Sequence, residues 1–142
     1  MGINSITMKA VDEAYNAKDY KALYHMACDN PMAVYYLKDD AEHGILDAMH
    51  WYAMIFDEGY GVEENIEHAF DLMQESAKCG HPESARELGR MYYSKGYGIQ
   101  DYDAARYWFK RAVQLGDKEA EGWLKCELPK KSTLYCFLMS SR

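Results

Sequence analysis

The 142 residues carry 16 basic and 23 acidic side chains, a net charge of −7. That argues against nucleic acid, whose phosphates need a basic surface, and favours a basic protein partner. No stretch approaches the roughly 20 apolar residues of a membrane span, and Met1 to Met8 contains no apolar block of a secretory leader, so the expected location is the cytoplasm. A hydrophobic fraction of 49%, including 13 tyrosines, can supply an extended core within one domain.

In chain order, residues 6–17 predict a first helix with Ile6, Ala10, Val11, Ala14 and Tyr15 on one side. Asp19 is placed to cap a second helix through Ala22, Leu23, Met26 and Ala27. Asp29-Asn30-Pro31 makes a tight turn, and Pro31 opens a third helix carrying Ala33, Tyr36, Leu37 and Ala41 up to Gly44. From there the chain repeats itself. Gly44, Gly80 and Gly116 stand 36 residues apart, as do Ala33, Ala69 and Ala105, and Tyr36, Leu72 and Trp108. Gly59-Tyr60-Gly61-Val62 recurs as Gly96-Tyr97-Gly98-Ile99, and Ala48 recurs as Ala85. A fixed period of this kind marks stacked helix pairs, since one pair cannot bury both of its apolar stripes.

In the second copy Pro82 suits a first helical turn, and Ala85, Leu88, Met91 and Tyr92 form one stripe. Gly96-Tyr97-Gly98 is expected to end that helix and Asp101 to cap the next. There Ala105, Trp108, Phe109, Ala112 and Val113 form a second stripe, with Trp108 filling the core and Gly89 allowing close helix approach. The expected bounds are a cap helix at 1–18, a degenerate repeat at 19–44, repeats at 45–80 and 81–116, and a partial repeat with a C-terminal cap at 117–142. The tail Thr133-Leu134-Tyr135-Cys136-Phe137-Leu138-Met139 reads as a short capping helix or as an exposed strand that pairs chains.

The pattern Ala85, Leu88-Gly89, Tyr92, Gly96-Tyr97-Gly98-Ile99, Asp101-Tyr102, Ala105, Trp108, Ala112, Gly116 resembles the Sel-one-like repeats, a branch of the tetratricopeptide superfamily. The first copy departs from it, with Trp51-Tyr52 where the family has Leu-Gly and Leu72 in place of tryptophan. The resemblance covers residues 33 to 120 and implies an all-α, right-handed α-solenoid with a scaffold or adaptor role and no reaction of its own.

No constellation in the sequence carries chemistry. Cys28, Cys79, Cys126 and Cys136 are widely spaced and read as free, buried or half-buried thiols. His25, His43, His50, His68 and His81 show no metal spacing, although His43 and His81 occupy related repeat positions. The run Asp39-Asp40-Glu42 reads as an ordinary solvated face, and no serine or cysteine sits in a nucleophile motif. No enzyme, metal or cofactor is expected.

Recognition remains. In solenoids of this resemblance the first helix of each pair lines the concave face. Counting from Ala48, the facing positions are Leu46, Met49, Ala53 and Phe56; from Ala85 they are Glu83, Arg86, Arg90 and Tyr93. An apolar floor of Leu46, Met49 and Phe56 beside outward-pointing Arg86, Arg90 and Tyr93 would suit an apolar anchor near a carboxylate. The opposing reading is that the N-terminal helices cover Leu46, Met49 and Phe56. The expected function is a protein interaction adaptor; the alternative is a small acidic immunity protein that blocks a toxic enzyme.

Overall fold

The computed structural model describes residues 7–125. Among them are eight α-helices, one 3₁₀ turn and no strands, the all-α class expected from the repeat. Cα packing divides the chain into two compact units, Met1–Cys79 and Gly80–Arg142.

The first unit holds α1 (Met8–Asn16), α2 (Tyr20–Met26), α3 (Pro31–Glu42), α4 (Leu46–Glu58) and α5 (Ile66–Lys78). Side-chain oxygens start four of them, satisfying amide N–H groups that the first turn leaves unpaired. Thr7 accepts from Ala10, Asp19 from Ala22, Asn30 from Met32 and Asn65 from His68, at 2.9–3.3 Å. Asp19 and Pro31 thus act as their positions in the sequence suggested, while α1 begins two residues later than expected. Val11, Leu23, Ala33, Leu37, Ala48 and Ile55 are fully buried in its core.

Tyrosines bolt this core to its polar surround. Tyr20 donates to Asp40 at 2.7 Å, Tyr15 to the same carboxylate at 3.2 Å, Tyr24 to Glu58 at 2.6 Å and Tyr36 to Asp12 at 2.8 Å. Lys18, held at φ +56°, adds a 3.1 Å ion pair to Asp40 and lies over the Tyr15 ring. Asp40 is therefore no solvated surface acid but a buried one, 7% exposed. Burial pushes its carboxyl up, but hydrogen bonds from Tyr20 and Lys18 outweigh that and hold it below its ordinary value.

Gly59 closes α4 in the left-handed conformation, and Gly61 follows at φ +78°. A Cβ on Gly61 would run into the carbonyl of Ala27 at the end of α2, so glycine is required there by contact as well as by conformation.

The second unit holds α6 (Pro82–Tyr93), a 3₁₀ turn (Lys95–Tyr97), α7 (Tyr102–Gln114) and α8 (Glu119–Lys125). The His81 ring Nδ1 accepts from the Ser84 amide at 3.2 Å to start α6, and Asp101 starts α7 as expected. The helix ends at Tyr93 rather than at Gly96; the Ser94 side chain accepts from the Gly96 amide and winds the 3₁₀ turn before left-handed Gly98. Trp108 does not fill the core: it is half-buried, and Phe109 beside it is fully buried. The reason is Gly89, whose missing side chain leaves room for the Phe109 ring; a Cβ there would stand 2.8 Å from two ring carbons. Phe109 also stacks on Trp123 with centroids 5.3 Å apart.

Cys28 and Cys79 are exposed, contrary to the buried or half-buried thiols expected. Cys126, Cys136 and the tail from Thr133 lie outside the described residues, as does Ile6.

Candidate binding site

The first unit contains a cleft of about 520 Å³ between α3, α4 and α5. Each helix presents one face to it through side chains three or four residues apart. Ala41 of α3, Met49 and Tyr52 of α4 and Leu72 of α5 supply apolar surface. Lys38 and Glu42 of α3 and His68 and Glu75 of α5 supply the polar rim. Met49 and Tyr52 are 6% and 8% exposed, which makes them a floor rather than a protruding patch. The Tyr52 hydroxyl is pushed above its ordinary pKa by burial and, secondarily, by Glu42. His68 packs edge-on against Phe56 at 4.6 Å and so stiffens one wall.

Of the six residues selected by repeat position, Leu46, Met49 and Phe56 fall in the first unit and Arg86, Arg90 and Tyr93 in the second. Met49 lines this cleft, and Phe56 supports it from behind through His68. Leu46 is not part of its lining; its carbonyl accepts from Ser76 Oγ at 3.2 Å. Ala53 is fully buried. On the face Leu46, Met49, Ala53 and Phe56, the middle two are buried and the outer two half-buried, with the Phe56 ring against His68 of α5.

In the second unit Arg86 does not point outward. Its guanidinium donates to Asp117 at 3.0 Å and pairs with Glu119 at 2.8 Å, with only 16% of its side chain exposed. Asp117 in turn accepts from the Ala120 amide, so the ion pair secures the entry into α8. Arg90 donates to Glu87 at 2.6 Å and to the Tyr97 hydroxyl at 3.1 Å. Burial draws its guanidinium pKa down, and Glu87 more than offsets this, raising it overall. Tyr93 is 37% exposed and meets Tyr102 and Trp123 edge-on at 5.7 and 5.6 Å. These rings, with Arg90, Lys95 and Gln100, enclose a second cavity of about 450 Å³ within the second unit.

Leu72, Lys38, Glu42 and Glu75 were missed because the repeat rule looks only at the first helix of each pair, whereas the cleft draws on three helices; Tyr52 is on that first helix, but off the positions the rule counts. Among the described residues no group of three or more His, Cys, Asp or Glu is arranged to hold a metal ion. His50 and His81 are buried, against Trp51 and as a helix cap respectively. No helix of the described residues is long and apolar enough to cross a membrane. What both cavities offer is apolar and aromatic surface beside fixed charge, which is equipment for binding.

The fold is shared with solved structures. A Sel1 repeat protein from Oxalobacter formigenes superposes with a TM-score of 0.63 at 23% identity, over 83% of this chain and 96% of that one. Cysteine rich protein B of Helicobacter pylori superposes with a TM-score of 0.66 at 16% identity, over 84% and 98%. No curated protein sequence matches. The Sel1 repeat family model matches twice, at residues 46–81 and 82–117, together just over half of the chain, and on that evidence the protein belongs to the Sel1 repeat family.

Proposed function

We propose that this protein is an interaction adaptor that seats a segment of a partner protein in the cleft between α3, α4 and α5. Members of the Sel1 repeat family generally serve protein–protein interaction, which supports the class. The observation that carries the site is an open cleft of about 520 Å³ with a nearly buried apolar floor, Met49 and Tyr52, inside a charged rim. Such a floor can accept one large apolar side chain, and burying one contributes about 1.5–3 kcal/mol.

The test places a photo-crosslinking residue at Leu72, on the cleft wall, and at exposed Lys21 of α2 in the native host. A partner crosslinked at 72 and not at 21, then purified, should bind the wild type and lose at least tenfold affinity for Leu72→Asp of unchanged helicity. Equal crosslinking at both positions, or equal affinity for the variant, would reject the cleft. The immunity reading differs in outcome: it requires one stoichiometric partner whose enzymatic activity disappears in the complex.

A further inference from the structure

We infer that the cleft between α3, α4 and α5 takes a basic segment: one large apolar side chain on the floor with lysine or arginine within four positions of it. The inference rests on the adaptor reading above and adds the chemistry of the partner. Its ground is the imbalance of charge around the apolar floor. Two carboxylates, Glu42 and Glu75, line the cleft against one lysine, Lys38. Lys38 already faces Glu42 at 3.9 Å, so Glu75 is left as the uncompensated rim charge.

Glu75 also ends a row. Glu67, Asp71 and Glu75 recur every fourth residue along α5, all three exposed, and no ion pair among the described residues involves any of them. Like charges at that spacing repel, so the helix tolerates a destabilising row that a cationic partner would relieve. The row spans about 12 Å at 1.5 Å per residue, the reach of about four residues of extended chain, which sets the spacing between anchor and basic residue. The cavity of the second unit is lined by Arg90 and Lys95 with no carboxylate, so a basic segment would discriminate between the two. The net charge of −7 favours encounter with a basic partner from a distance.

The experiment selects a displayed random 12-residue peptide library on the full chain and, in parallel, on Glu42→Lys with Glu75→Lys. Both substituted positions are exposed, and thermal melts confirm that the fold is retained. The wild type should enrich peptides pairing a large apolar residue with lysine or arginine. A synthetic copy should bind at least tenfold more weakly to the doubly reversed chain by fluorescence anisotropy, and should weaken with added salt. Enriched peptides that are acidic or neutral, or a copy that binds both chains equally, would overturn the inference. So would failure to enrich any peptide. In each of those cases, a partner crosslinked specifically at Leu72 leaves the adaptor reading standing; absence of that crosslink removes both.

Discussion

Replacing Gly89 by alanine sets two known effects against each other inside one helix. In an unhindered helix the change is favourable by about 0.5–1 kcal/mol, because glycine gives up more backbone entropy on folding. Here the new Cβ would lie 2.8 Å from Cδ1 and Cε1 of Phe109 and 3.1 Å from Cγ. Carbon pairs prefer about 3.5–4.0 Å, so the ring must retreat by more than half an ångström. It has nowhere easy to go: Phe109 is fully buried and stacks almost parallel on Trp123. Overpacking of this kind costs about 1–3 kcal/mol, leaving a net loss of about 0–2.5 kcal/mol. Gly122 of α8 is the internal control, since a Cβ there meets nothing within 4 Å, and Gly122→Ala should stabilise by about 0.5–1 kcal/mol. Urea unfolding of both variants, with Phe109→Leu added to each, separates the terms: Phe109→Leu should couple to Gly89→Ala by more than about 0.5 kcal/mol and not to Gly122→Ala. Gly89→Ala as stabilising as Gly122→Ala, without coupling, would refute the close-packing account.

Phe109→Ala should cost about 3–5 kcal/mol and Trp108→Ala clearly less, because only the first is fully buried; equal midpoint shifts would contradict that ordering. Arg86→Glu should unfold the second unit's α8 end at a cost of about 3–5 kcal/mol, since it leaves Asp117, 4% exposed at its side chain, facing a like charge; helicity and melting temperature read the effect, and a neutral result would mean the pair is not structural. Asp40 makes stability depend on acid. Its folded pKa is depressed below the ordinary 3.8, so its contribution is fully present above that value and is lost as pH falls through the folded pKa. The melting temperature should therefore drop below about pH 4, and Asp40→Asn should show a flatter acid limb from a lower starting stability; parallel acid limbs would show that the Tyr20–Lys18 hydrogen bonds do not hold the carboxylate.

Period and glycine placement were enough to read the helix pairs, since each landmark has a local cause: a cap, a left-handed turn, a stripe. What they could not separate is neighbours within a stripe. Ala105, Trp108 and Ala112 fit helical spacing as well as Ala105, Phe109 and Ala112, and only the partner helix, through Gly89, selects Phe109. Asp40 did leave a signal, because it follows Ala33 and Leu37 at core spacing, where an acid needs partners; Tyr20, Tyr15 and Lys18 provide them. Arg86 left none, as its partner Asp117 is 31 residues away and becomes meaningful only once α8 is placed. The cleft was half visible. Met49 came from the repeat rule, but Leu72 and Glu75 belong to the second helix of the pair, and their meeting with α3 is a tertiary fact.

Gly61 and Gly98 occupy the same place in the repeat and both adopt a left-handed conformation, yet they are not interchangeable. Around Gly98 there is open space, so its requirement is one of backbone angle, which asparagine can also meet. Gly61 is pressed against the Ala27 carbonyl, so any side chain there would pry the loop from the end of α2. A consensus built by averaging the two copies would score the positions as equals and lose that distinction. The first repeat is thus a fitted part, matched to the irregular helices before it. Transplanting it elsewhere in the array, or lengthening the array by duplicating it, should fail at this loop even where its helices are compatible.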